Sequence, residues 1–233
     1  MNRIICVALL AIFICGCIDE VIYLPDSVVY NENSQHENSP NKYTTTNKNN
    51  LWENGEIYYH FAEEVNDIHI KKIEDCFNEI EEKTRCVYFI RCDERADSIE
   101  IKYSNDEASW ATIGYNLVNF IKIRPTATTR NIFHEVLHTI GLLHEHQRED
   151  RDDHIVVAYE NILPRFIPYF DVKRNTFYNI EDFPYDHKSI MHYNSFAFST
   201  GNPTIYFFNE HDYNFALKPT KLDYDKIIAM YQR

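Results

Sequence analysis

The chain has 233 residues, of which 44% are hydrophobic and 15% aromatic, and its formal net charge at pH 7 is -13. This length and apolar content can bury the core of one domain and are too small for two sizeable ones. The acidic balance repels nucleic acid and anionic membrane surfaces, so we expect neither as a partner. It gives no indication of the substrate, because an ordinary solvated surface can have the same charge.

The first 17 residues have the pattern of a secretory signal peptide. Arg3 precedes an unbroken apolar run at residues 4–14, which ends in small residues at 15–17. The run is too short to span a bilayer and is followed by a cleavage-like site. We therefore predict a secreted, extracellular protein with no stable membrane insertion after signal removal. A short membrane anchor is the alternative interpretation, and residues 14–17 also resemble a bacterial lipid-attachment box, with Cys17 as the lipidated residue.

Residues 18–42 are predicted to be a pro-segment or linker, and residues 43–233 a single domain. After Val29, up to Asn50, the chain is rich in Asn, Ser and Thr and nearly empty of large aliphatic residues. Such a composition buries too little surface to offset its ordering entropy. The domain contains no internal repeat and no second linker.

Strands and helices alternate in the first half of this domain. Runs of aromatic and β-branched residues predict strands at 56–61, 86–90, 98–103 and 120–123. Apolar residues at helical spacing predict a first helix capped by Asn66 or Asp67 and a second capped by Thr128 or Thr129, which ends at Gly141. Beyond it, prolines separate short segments. We predict an α+β fold, with a mixed twisted sheet and two long helices in the N-terminal half, then a largely irregular C-terminal half with a terminal helix.

The second predicted helix carries the pattern HEVLHTIGLLH, residues 134–144. His134 and His138 are one turn apart, so both imidazoles can bind one tetrahedral metal. Gly141 can adopt a positive φ and end the helix, which lets the chain turn back and bring His144 to the same ion. Three nitrogen ligands leave a fourth position for water, which is the arrangement of a catalytic zinc. The sequence therefore predicts one Zn²⁺ per chain.

Glu135 follows the first of these histidines, where its carboxylate can reach the water. Zinc lowers the pKa of that water towards about 7, so a nearby carboxylate can act as general base and produce a hydroxide nucleophile. Core histidines satisfied by hydrogen bonds are the alternative interpretation. That explanation can account for one of the three histidines but not for the set.

The motif H-E-x-x-H-x-x-G-x-x-H resembles that of the metzincin clan of zinc endopeptidases, which have a zincin-like fold. HEHQREDRDDHI, from His144, is similar to the extended zinc signature of the astacin family, and SIMHY, from Ser189, to its methionine turn. LWENGEIYYHF, from Leu51, resembles the family's opening strand. YENILPRF, from Tyr159, and TKLDYDKIIAMY, from Thr220, resemble its later segments. The resemblance covers about residues 51–231.

The resemblance implies a monomeric zinc endopeptidase that acts on a peptide or protein substrate. Met191 would then lie beneath the metal, and Tyr193 would be a fifth ligand that swings away to hydrogen-bond the oxyanion. Glu145 would meet the amino terminus of the mature enzyme, although an exposed carboxylate beside a ligand is the alternative interpretation. An extended peptide would pair with an edge strand, which we place at Phe120–Ile123.

Export would place the chain where disulfides persist, and signal removal would leave Cys76, Cys86 and Cys92, which allow at most one intramolecular bridge. The family's usual bridges are altered. The positions of one bridge hold Ser109 and Thr126, and the usual partner of Cys86 is absent, so Cys76 or Cys92 can substitute. YNLVNF at 115–120 replaces the family's glycine-rich stretch before the cleft strand.

The pro-segment contains a second resemblance. Tyr23-Leu24-Pro25-Asp26 is similar to the family's inhibitory element, in which an aspartate occupies the water site on zinc. This implies that Asp26 is a zinc ligand in the zymogen and that Lys42 marks a release point. A solvated aspartate before a loose linker is the alternative interpretation.

Two rival functions remain open. One is a catalytically silent binding module that keeps zinc for stability, which Glu135 disfavours because structural zinc needs no base. The other is a peptidase of another metzincin family, which the tyrosine of SIMHY and the HEHQR continuation disfavour.

Overall fold

The computed structural model describes residues 50–105, 109–173, 182–209 and 216–232. The predicted signal peptide, the pro-segment and Asp26 lie outside the described residues. In the part of the chain that is described, no helix has both the length and the hydropathy needed to cross a bilayer.

A five-stranded sheet forms the N-terminal half. Its strands are β1 (Glu56–Phe61), β2 (Tyr88–Arg91), β3 (Ile99–Tyr103), β4 (Trp110–Ala111) and β5 (Asn119–Ile123), in the order β2-β1-β3-β5-β4. The four longer strands are parallel to one another, whereas β4 runs antiparallel to β5. β1 has the predicted bounds, while β2 begins two residues after the start of the strand predicted at 86–90. The predicted mixed sheet is confirmed.

The edge strand was predicted wrongly. β5, which contains Phe120–Ile123, lies between β3 and β4, so both of its sides are paired within the sheet. The edge next to it is β4, which the sequence did not indicate. β4 pairs through only two residues, Trp110 and Ala111, and two residues are too few to show the period-2 alternation that marks a strand.

Side-chain caps fix where the helices begin. The helices are α1 (Asp67–Thr84), α2 (Thr129–Ile140) and α3 (Lys221–Tyr231). Asn66 caps α1 by accepting the His69 amide, and Thr128 and Thr220 cap α2 and α3, each within a reciprocal capping box. The two predicted long helices and the terminal helix are therefore confirmed.

The main core lies between the sheet and its helices. Isoleucines that alternate along β3 and β5, together with Ile57 of β1, are fully buried and belong to one cluster with the apolar faces of α1 and α2. These members include Ile57, Ile99, Ile101, Ile121, Ile123, Ile73, Phe77, Ile80, Phe133, Val136 and Leu137. Each such side chain contributes about 1.5–3 kcal/mol by leaving water. The sheet and α1 thus form a rigid support for α2.

The C-terminal half is held by a smaller core. β6 (Ile155–Val157) and β7 (Ile205–Phe207) form an antiparallel ribbon beside a second, largely aromatic cluster. Short 3₁₀ turns at 145–147, 151–153, 159–161 and 164–170 connect the described segments before the gap at 174–181. The predicted irregular half is confirmed.

The three cysteines within the described residues are unpaired. Cys76, Cys86 and Cys92 are all free thiols, so neither Cys76 nor Cys92 substitutes as the partner of Cys86. Cys76 lies in the core on α1, whereas the Cys92 sulfur lies 3.5 Å from the Tyr59 carbonyl oxygen on the neighbouring strand. The expected substitution is therefore corrected.

Candidate metal centre

Helix α2 is unusual because nearly all of it is buried. His134, Glu135 and His138 are among its buried residues, so their polar groups must find partners inside the protein. The helix ends at Gly141, whose φ of 127° is rare for residues with a side chain. The Gly141 amide donates to the carbonyl oxygens of Leu137 and His138 in the last turn of the helix. This turn redirects the chain, and His144 follows three residues later.

The three predicted ligands converge. The candidate ligand atoms of His134, His138 and His144 all lie within 4.8 Å of one another. The Nε2 atom of His144 is 3.2 Å from that of His134 and 3.3 Å from that of His138. Two nitrogens bound to one tetrahedral zinc at 2.0–2.1 Å are separated by about 3.3 Å. The spacing therefore fits a single zinc ion.

Hydrogen bonds on the far side of each ring assign the tautomers. Nδ1 of His134 lies 2.9 Å from the Ile190 carbonyl oxygen, and Nδ1 of His138 lies 2.7 Å from that of Leu142. A carbonyl oxygen can only accept, so each Nδ1 carries a proton, and the Nε2 of a neutral ring then presents a lone pair to a metal. Converging lone pairs repel one another, and a cation between them removes that repulsion.

The third histidine is oriented by a side chain that the sequence analysis missed. Nδ1 of His144 lies 3.2 Å from Gln147 Oε1, while Gln147 Nε2 donates to the Tyr169 carbonyl oxygen at 3.0 Å. The second bond fixes the orientation of the amide, so its oxygen faces His144. The only sequence signal was a polar residue three places after a ligand.

Tyr193 lies beside the metal centre. Its ring centroid is 4.5 Å from that of His144, and the ring of His146 stacks on it at 3.9 Å and 24°. Phe170 contacts it edge-on, and Tyr193 is 4% exposed. Met191 is fully buried in the main core. Tyr193 therefore lies against the third histidine, and Met191 lies in the main core.

Glu145 is buried among partners from within the domain. Its Oε1 accepts from Arg148 Nη1 at 3.1 Å and from the Asp186 amide at 3.0 Å, and its Oε2 accepts from Lys226 Nζ at 2.5 Å. The mature amino terminus that we expected at this position lies outside the described residues. No sequence pattern indicated Lys226, because one lysine on a helix usually faces solvent.

Two further histidines near the site are held neutral. Burial lowers the pKa of His192 to about 3 and keeps the pKa of His146 well below its ordinary value. The two nitrogens of His192 lie 2.7 Å from the Tyr185 hydroxyl and 2.6 Å from the Tyr193 carbonyl oxygen. Neutral rings add no positive charge beside the metal centre.

The chain is similar to known zinc proteases. A family model described as Astacin, a peptidase family, matches residues 44–232. "Zinc metalloproteinase nas-14" of Caenorhabditis elegans is 31% identical over 188 residues, which is 78% of this chain and 37% of that protein. "Zinc metalloproteinase nas-6" of the same organism is 35% identical over 162 residues, 68% of this chain and 46% of that protein. The chain thus spans less than half the length of either relative.

A solved structure shares the architecture. High choriolytic enzyme 1, a hatching enzyme zinc-protease from Oryzias latipes, superposes with a TM-score of 0.72 at 27% identity, covering 80% of this chain and 96% of that chain. This confirms the predicted zincin-like α+β fold. With the family match and the three converging histidines, it also supports zinc as the metal of the site. The chain belongs to the astacin family of peptidases.

Proposed function

We propose that the protein is a secreted, zinc-dependent endopeptidase that hydrolyses internal bonds of peptide or protein substrates. The observation that carries the proposal is the convergence of three histidine nitrogens on one point. The carboxylate of Glu135 is buried on α2, the helix that carries two of these histidines. Three protein ligands leave room for water and substrate, whereas a closed structural site needs four. The signal-peptide pattern supports secretion.

Each residue of the site has a proposed role in the reaction. Zinc, when bound, supplies a Lewis acid that acidifies water and polarises the scissile carbonyl. Glu135 accepts the proton of the attacking water and later donates it to the leaving amine. Tyr193 donates its phenolic proton in a hydrogen bond to the oxyanion that develops on the substrate. His134, His138 and His144 would hold the ion.

The corrected sheet order changes the proposed substrate-binding edge. β4 is the outermost strand on the side of β5, so an extended peptide can add to it through main-chain hydrogen bonds. The loop that follows β4 contains Leu117 and Val118, which are 83% and 69% exposed. We propose that these apolar side chains contact the substrate beside that strand.

The function is tested by incubating the exported protein, and a form trimmed to begin at Tyr43, with an unbiased peptide library. We expect the form that begins at Tyr43 to cleave internal bonds, a zinc chelator to abolish this cleavage and added zinc to restore it. His138→Ala should lose both zinc and cleavage, because one of three ligands is removed.

If the form that begins at Tyr43 has full zinc content and cleaves nothing, this would contradict the proposal and favour the catalytically silent binding module. A fully occupied site in His138→Ala would show that this histidine is not a ligand.

A further inference from the structure

We propose that Ser189 and Asp223 are positioning residues that act on His134, a ligand in the proposed zinc site, through the peptide bond between Ile190 and Met191. The inference goes beyond the proposed function, since it concerns the strength of the metal site and does not require peptidase activity. It rests on a chain of hydrogen bonds that connects helix α3, the SIMHY segment and helix α2.

The first link is the bond that orients His134. Its Nδ1 donates to the Ile190 carbonyl oxygen at 2.9 Å, and both groups are buried. Arg130 Nη2 donates to the same oxygen at 3.2 Å. A carbonyl oxygen has two lone pairs, so it can accept both bonds.

The second link lies at the other end of the same peptide group. The Met191 amide donates to Ser189 Oγ at 3.0 Å, and the Ser189 hydroxyl donates in turn to Asp223 Oδ1 at 2.6 Å. Ser189, Ile190, Met191 and Asp223 are all buried. Water therefore does not compete for these groups, and each hydrogen bond acts at low local dielectric.

Asp223 is fixed as an acceptor. Its Oδ2 accepts from the amides of Ile190 at 3.1 Å and Thr220 at 2.9 Å, while Oδ1 accepts from Ser189. Burial raises the pKa of the carboxyl, and nearby Lys226 opposes that effect. Because both oxygens already face donors and neither faces an acceptor, the ionised carboxylate matches these surroundings at neutral pH.

The bonds that lead from His134 through the peptide group and Ser189 to Asp223 form one chain, in which each group donates to the next. The Asp223 carboxylate draws the Ser189 proton and makes its oxygen a better acceptor, which polarises the peptide group and places more negative charge on the Ile190 oxygen. A stronger acceptor at Nδ1 increases the basicity of Nε2 on His134, and outer partners of this kind commonly change metal affinity. Ser189 and Asp223 therefore strengthen one zinc ligand without touching the ion.

The test measures zinc affinity by competition with a chelator of known affinity, using the exported protein. Ser189→Ala and Asp223→Asn should each weaken zinc binding about 10- to 100-fold, which is the usual effect of losing an outer partner. Ser189→Thr keeps the hydroxyl and should restore most of the affinity. In Ser189→Ala the NMR signal of the His134 Nδ1 proton should move to lower frequency, as expected for a weaker hydrogen bond.

Thr220→Ala is the matched control. It removes the side-chain cap of α3 and lowers stability, yet it leaves the bond from the Thr220 amide to Asp223, so zinc affinity and the His134 signal should stay as in the unmodified protein. Unchanged zinc affinity in both Ser189→Ala and Asp223→Asn would overturn the proposal, as would an equal loss in Thr220→Ala. If Asp223→Asn does not fold, the Ser189→Ala and Ser189→Thr pair decides.

Discussion

At the scale of single residues, we expect the replacement of Glu135 to separate metal binding from catalysis. Glu135→Gln keeps the size and shape of the side chain, but its amide cannot take a proton from water. We expect zinc content to be unchanged and kcat/KM for a peptide to fall by about 10²- to 10⁴-fold, the range that a positioned base contributes. Zinc analysis and cleavage assays on the same preparation check this.

Glu149 provides the control for that substitution. Its side chain is exposed, so Glu149→Gln should retain both zinc and activity. Undiminished cleavage by Glu135→Gln would remove this residue from the role of general base.

The metal centre also shows which site residues a sequence can reveal. His134, His138 and Glu135 share one helix, so their positions follow from its 3.6-residue period. Gly141 indicates the turn that brings in His144. Gln147 and Lys226 could not be found in this way, because their roles come from contacts that only the folded chain creates.

At the scale of elements, α3 is tied to the segment that follows the third histidine. Lys226 on α3 and Glu145 form an ion pair in which both side chains are 1% exposed. Removing one partner from a buried pair typically costs about 3–5 kcal/mol, and Arg148, which also pairs with Glu145, offsets part of that cost here. We therefore expect Lys226→Met to lower the free energy of unfolding by up to about 3 kcal/mol, measured by urea denaturation of the zinc-free protein.

Lys221 on the same helix is the matched control. Its side chain is 86% exposed and pairs with Asp225 one turn later, so Lys221→Met should change stability by less than about 0.5 kcal/mol. Similar losses in Lys221→Met and Lys226→Met would show that the buried pair does not tie α3 to the site.

Elements differ in how well the sequence indicates them. α1 and α2 are long and carry side-chain caps, and β1 is a run of aromatic and β-branched residues, so local pattern and fold agree. β4 is a strand only because its two residues, Trp110 and Ala111, pair with β5. The identity of these two residues does not by itself predict a strand. The edge strand was therefore placed wrongly, because nothing in the sequence indicated β4 beside β5.

At the scale of the whole molecule, the buried partners of Glu145 bear on how the enzyme would be activated. The family resemblance implied that a newly released amine approaches this carboxylate. In the structure, Lys226, Arg148 and the Asp186 amide already donate to its two oxygens. We therefore expect activation to depend on removing the pro-segment rather than on creating one particular amino terminus, so that forms beginning at Asn41 and at Tyr43 are equally active.

The last prediction concerns the pro-segment itself. A carboxylate oxygen is a suitable zinc ligand, so Asp26 would displace the water that Glu135 must deprotonate. We expect the form beginning at Ile18 to be inactive, cleavage after Lys42 to activate it, and Asp26→Ala to be active without cleavage. Asp19→Ala, which removes a carboxylate from the same segment, should stay inactive. Peptide cleavage by the purified long forms checks this, and a long form already as active as the one beginning at Tyr43 would contradict the latency mechanism.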